Sequence, residues 1–124
     1  MVNVIGLGYI GLPTALMMAS HGVEVVGTNH NQGKIDMLKS GKTTFKGKWL
    51  DELFQAALAG GIQFTTEYQV ADVYIVSVQT PYDEFTKKVE MVKHNEIKEN
   101  MDKLVGKIVL DCHNVCSNIS CYKL

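Results

Sequence analysis

The sequence predicts an α/β domain, a mostly parallel sheet flanked by helices. Three observations carry that expectation. Short β-branched runs alternate along the chain with segments of helical periodicity, the order in which strand–helix–strand crossovers are built. The turn between the first strand and first helix reads Gly6-x-Gly8-x-x-Gly11. Asp72-Val-Tyr-Ile-Val-Ser-Val78 is β-prone throughout, with no alternation of polar and apolar residues, as suits a strand buried on both faces of a parallel sheet.

The elements follow in order. Val2, Val4 and Ile5 form a first strand, and residues 10–20 form an apolar helix closed by His21-Gly22. A second strand spans residues 23–28. Asn31 caps a second helix running through Lys34, Ile35 and Leu38 and ending at Ser40-Gly41. Residues 41–48 read as a basic surface loop. Trp49, Leu50, Leu53, Phe54, Ala57 and Leu58 recur at helical spacing, which reads as a core-facing stripe, and Gly60-Gly61 stops that helix. A short strand follows over 62–65, then the buried strand over 72–78, ended by Thr80-Pro81. Residues 82–91 are polar and suggest no element. Ile97, Met101, Leu104 and Val105 share one face of a helix. Lys107-Ile-Val-Leu-Asp111 forms the last strand, and a frayed tail is expected from Ser117.

The glycine turn acquires meaning from its setting, with a strand before it and a helix and strand after it, in a unit of about 30 residues. Gly6 lets the chain turn sharply off the strand, Gly8 leaves room for a pyrophosphate against the backbone, and Gly11 lets the helix pack closely on the sheet. The helix opens with unpaired N–H groups and a partial positive charge, which suits a diphosphate. A Rossmann-like fold with dinucleotide binding at this turn is the expectation. The bland alternative is a glycine turn that serves only tight strand–helix packing.

The bulk properties narrow the class. At 124 residues, 46% hydrophobic and 20% charged, the chain has the composition of one globular domain. A net charge of −1 suggests neither a nucleic-acid partner nor an acidic membrane surface. All twelve basic residues are lysine. The lack of arginine argues against a bidentate clamp on the 2′-phosphate of NADP. No apolar run approaches the roughly 18 residues of a membrane span, and no basic leader precedes the first strand, so the expected location is the cytoplasm. Cys112, Cys116 and Cys121, with His113, match no zinc spacing, so no metal site is expected. An odd count of cysteines does not support a disulfide framework either.

Val4-Ile-Gly-Leu-Gly-Tyr-Ile-Gly-Leu-Pro13, with Val25-Val-Gly27 and Val78-Gln-Thr-Pro81, resembles the UDP-glucose/GDP-mannose (UDP-N-acetylmannosamine) dehydrogenase family over residues 2–81. Members of that family use NAD to oxidise a nucleotide sugar at C6 to the carboxylate in two hydride transfers. The resemblance implies that Gly6, Gly8, Tyr9, Ile10 and Gly11 hold the pyrophosphate end of NAD. It places Lys34 near the adenosine and Thr80 on the nicotinamide side.

Two departures matter. Val78-Gln79-Thr80-Pro81 lacks one proline of the family's Val-Pro-Thr-Pro element. Asn29 stands where the family has the aspartate that accepts from the adenosine ribose hydroxyls. Replacing a charge-assisted bond by a neutral one implies about 1–2 kcal/mol less affinity for NAD. His30 beside it reads as a solvated turn residue.

From residue 82 the resemblance shifts. Tyr82-Asp-Glu-Phe85, the helix at 95–105 and the strand ending Asp111-Cys-His-Asn-Val115 are similar to the C-terminal, UDP-binding domain of the same family. Tyr82 replaces a histidine, and His113 replaces an arginine that holds substrate. The implied organisation is a single truncated domain: residues 1–81 as the NAD-binding segment, 82–116 as the second piece, and 117–124 as tail. The family's nucleophilic cysteine, in a Gly-Gly-x-Cys context, has no counterpart here, so the chain is assigned no catalytic residue.

Two functional readings remain open. One is the NAD-binding portion of a nucleotide-sugar 6-dehydrogenase, not catalytic alone and served by a full-length dehydrogenase or complementing chain. The other is a non-catalytic nucleotide-binding or subunit-interaction module, or a decayed remnant.

Overall fold

A computed structural model describes residues 1–77, 82–83, 88–89, 108–111 and 122–123. In chain order the elements are β1 (Val2–Ile5), α1 (Gly11–Ser20), β2 (Val25–Thr28), α2 (Gln32–Lys39), α3 (Lys48–Ala59), β3 (Gln63–Thr65), β4 (Val73–Val76), β5 (Tyr82–Asp83), β6 (Lys88–Val89), β7 (Ile108–Asp111) and β8 (Tyr122–Lys123). Six strands form one sheet in the order β3-β2-β1-β4-β7-β8, and every ladder in it is parallel. β5 and β6 make a separate antiparallel pair. The order places β1 at the centre, where the chain winds outward first through β2 and β3 and then through β4 and β7. That reversal is the switch point of a Rossmann-like sheet, and it leaves a crevice beyond the C-terminal ends of β1 and β4.

β1 is buried on both faces. Val4 joins Val25, Phe64 and Ile75 on one face, beneath Leu12, Ala15, Leu16 and Ala19 of α1 and Leu50, Phe54 and Ala57 of α3. On the opposite face Asn3, Ile5, Val26, Thr28, Tyr74, Val76 and Val109 are all buried. Burying Asn3 in the central strand requires hydrogen-bond partners for its amide. Thr28 Oγ1 donates to Asn3 Oδ1 at 2.8 Å, and Asn3 Nδ2 donates to the Gln69 carbonyl at 3.1 Å. The Tyr74 hydroxyl donates to that same carbonyl at 3.1 Å and accepts from the Ala71 N–H at 2.9 Å. The loop leading from β3 to β4 is thereby tied to the centre of the sheet.

Local signals placed most elements within two residues. Asn31 caps α2, its side chain accepting from the Lys34 N–H at 3.1 Å. β2 begins at Val25, not at residue 23. Val23 belongs to the turn after α1, where its N–H donates to the Met18 carbonyl at 3.1 Å. The loop over 41–48 is less polar than expected, because Phe45 is half-buried against the core and its ring lies 4.8 Å from that of Tyr9.

The α3 stripe needs a correction. Leu50, Phe54 and Ala57 are buried, but Trp49 is 59% exposed and Leu58 is 37% exposed. At about 100° per residue, Trp49 and Leu58 lie roughly 90° to either side of the stripe's centre, so only its middle is covered, by α1 and by Phe64 of β3. The tail also differs from expectation at Tyr122–Lys123, which pairs with β7 as a parallel edge strand. The helix expected from Ile97 to Val105, the stop at Thr80-Pro81, His113 and the three cysteines lie outside the described residues.

Phe54→Ala should destabilise the fold by about 3–5 kcal/mol, as expected for removing a buried aromatic ring. Trp49→Ala should cost less than about 1 kcal/mol. Urea unfolding followed by circular dichroism separates the two, and equal losses would return Trp49 to the core.

Candidate functional site

The crevice at the switch point is built from backbone first. β1 ends at Ile5, and Gly6 turns the chain at φ 95°, in the left-handed region that favours glycine. The Gly6 N–H donates to the Thr28 carbonyl at 2.8 Å, tying the turn to the end of β2. The chain then folds back so tightly that a Cβ on Gly11 would sit 1.7 Å from the Gly6 carbonyl oxygen. No side chain fits there, and α1 consequently begins directly above the end of β1.

α1 starts without a side-chain cap and without an acidic residue in its first turn. Its N-terminal dipole is therefore not offset by a carboxylate of its own. Leu7 is fully buried beneath the turn, while Tyr9 and Ile10 stand 73% and 57% exposed above it. The turn thus divides its residues, with Leu7 anchoring it to the core and the next two side chains held outward.

Ser77, immediately after β4, closes the other side of the crevice. Its N–H donates to the Ile5 carbonyl at 2.7 Å, and its Cβ lies 3.4 Å from where a Cβ on Gly11 would be. The side chain is 2% exposed, yet its hydroxyl has no hydrogen-bond partner among the described residues. An orphaned buried hydroxyl costs about 1–3 kcal/mol unless something completes it. Beside a glycine turn and an uncapped helix, that something fits a polar ligand. The sequence gives no sign of this role, since a serine within an apolar run reads as filler in a buried strand.

Asn29 ends β2 on the far side of Gly6. Its N–H donates to the Thr65 carbonyl at 3.1 Å, and its Oδ1 accepts from the Asn31 N–H at 3.1 Å. The side chain is buried, whereas His30 is exposed and Lys34 is half-buried in the first turn of α2. The fold therefore gathers Gly6, Gly8, Tyr9, Ile10, Gly11 and Asn29 along the C-terminal edge of the sheet, with Lys34 on the adjoining helix. Thr80 lies outside the described residues. No group of His, Cys, Asp and Glu that could hold a metal occurs among the described residues, and no helix there is long and apolar enough to cross a membrane.

Relatives place this architecture. Over 82 residues the chain is 42% identical to an NDP-N-acetyl-D-galactosaminuronic acid dehydrogenase of Ralstonia nicotianae, covering 65% of this chain and 19% of that protein. Over 81 residues it is 42% identical to a UDP-N-acetyl-D-mannosamine dehydrogenase of Methanococcus maripaludis, covering 64% and 19%. Among solved structures, a UDP-D-ManNAc dehydrogenase of Pyrococcus horikoshii superposes with a TM-score of 0.75 at 29% identity, covering 90% of this chain and 28% of that one. The chain thus spans about a fifth of the length of the curated relatives it matches. Residues 1–112 match the NAD-binding domain of the UDP-glucose/GDP-mannose dehydrogenase family, and the chain belongs to that family.

Proposed function

We propose that this chain binds NAD as the cofactor portion of a nucleotide-sugar 6-dehydrogenase and does not oxidise a sugar on its own. The observation that carries the reading is the crevice itself. An uncapped helix start is held over a turn with no room for a side chain at Gly11, beside an orphaned Ser77 hydroxyl. The uncapped helix start suits a diphosphate, and the buried hydroxyl without a partner suits a bound polar group better than it suits an empty fold.

In this reading the backbone of the turn from Gly6 to Gly11 holds the pyrophosphate, with Tyr9 and Ile10 flanking it. Ser77 donates its hydroxyl to the ligand or to a water bound with it. Asn29 meets the adenosine ribose, and Lys34 supplies positive charge on that side. Thr80 is assigned to the nicotinamide side on the family resemblance. NAD, when bound, supplies a hydride acceptor, and this chain's residues bind and orient it.

The thiol that the family's second oxidation needs has no counterpart in sequence context here. A full-length dehydrogenase or a complementing chain would supply it. Ile108–Asp111 pairs with β4 in the parallel sheet and falls inside the span that matches the family's NAD-binding domain.

Isothermal titration of the purified chain with NAD should give saturable binding, and Asn29→Asp should tighten it about tenfold, the equivalent of one restored charge-assisted bond. A folded protein that gives no heat with NAD, in either form, overturns the reading. Ser77→Ala should leave the ligand-free fold as stable or up to about 1 kcal/mol more stable, while weakening NAD several-fold. A loss of stability without a change in affinity would make Ser77 purely structural. Incubation with NAD and UDP-sugars should produce no NADH, and its appearance would refute the non-catalytic part.

A further inference from the structure

We infer that Asn29 opens the adenosine end of the crevice to 2′-phosphorylated dinucleotides, so that the chain accepts NADP about as readily as NAD. The inference rests on the dinucleotide reading and extends it to ligand choice.

The orientation of the Asn29 amide is fixed by its neighbour. Only Oδ1 can accept from the Asn31 N–H, so the bond at 3.1 Å turns Nδ2 the other way. Among the described residues nothing accepts from Nδ2. Asn29 is only 8% exposed and its backbone N–H is tied to the Thr65 carbonyl, so the residue is fixed at the end of β2 and the Oδ1 bond orients its amide. The end of β2 therefore presents N–H donors where dinucleotide folds that select NAD present a carboxylate. A carboxylate accepts from the ribose 2′-hydroxyl and repels a 2′-phosphate. An amide nitrogen can donate to either oxygen and repels neither.

The charges around Asn29 point the same way. Residues 28–34 contain no acidic residue, but they include His30 and Lys34. The next carboxylate in the chain, Asp36, accepts from Gln32 Nε2 at 2.8 Å. Glu24 lies at the opposite end of β2, and Glu67 is exposed in the turn after β3. The chain has no arginine to clamp a 2′-phosphate in bidentate fashion. Parity between the two cofactors follows, not a preference for NADP.

Parallel titrations of the native chain with NAD and NADP test this directly. Dissociation constants within about tenfold of each other are expected. Asn29→Asp keeps the same acceptor for the Asn31 N–H, so it should fold normally by circular dichroism. It should widen the ratio at least about tenfold against NADP, by placing a negative charge beside the phosphate. Saturable NAD binding with NADP more than about tenfold weaker in the native chain would overturn the proposal and leave the dinucleotide reading standing. A ratio unchanged by Asn29→Asp would overturn it as well. Binding of neither nucleotide would remove the dinucleotide reading and this inference together.

Discussion

The arrangement of the site depends on the contact between the Gly6 carbonyl and Gly11. With 1.7 Å between that oxygen and the place a Cβ would take, the first residue of α1 can be nothing larger than glycine. The same contact fixes where α1 starts and brings its dipole over the C-terminal end of β1. Leu12, Ala15, Leu16 and Ala19 then face the sheet at helical spacing, and Leu50, Phe54 and Ala57 of α3 complete that side of the core. Packing and the placing of the helix dipole come from one geometry. A glycine turn kept for packing would look the same up to this point, and the proposed ligand site rests on the Ser77 hydroxyl across the crevice, which has no partner among the described residues.

The second constraint is the burial of Asn3 in the central strand. An apolar residue there would satisfy the core but would leave the Gln69 carbonyl with one donor fewer. Asn3 and Tyr74 both donate to it, and Thr28 completes Asn3. The crossover from β3 to β4 is the connection that reverses the winding direction, so its anchoring positions Ser77 opposite the glycine turn. A buried polar network under the sheet thus ties the loop before β4 to the central strand.

What was legible in the sequence was local. The glycine turn, the Asn31 cap and the alternation of elements each depend on residues close in the chain, and the structure places them where those signals indicate. Periodicity identifies a stripe on α3 but not how wide a band its neighbours cover, which is why Trp49 and Leu58 read as core and are exposed. The position of Ser77 depends on two strands meeting that lie about 70 residues apart in sequence, and Phe45 reveals itself only by meeting Tyr9. Such tertiary contacts leave no mark on a window of neighbouring residues. Family resemblance supplied what periodicity could not, the expectation that the crevice takes a cofactor.

Asn29 shows how a substitution can be silent in the fold and still change the chemistry. An aspartate at this position could accept from the Asn31 N–H with the same atom geometry, so the turn into α2 does not distinguish the two residues. The difference falls wholly on the outward-facing atom, which is an anionic acceptor in one case and a neutral donor in the other. Because Oδ1 accepts from the Asn31 N–H, the amide cannot rotate to offer Oδ1 to a ligand without abandoning Asn31. The turn therefore fixes which atom of the Asn29 side chain faces outward, and the proposed ligand choice at this end of the crevice rests on that atom.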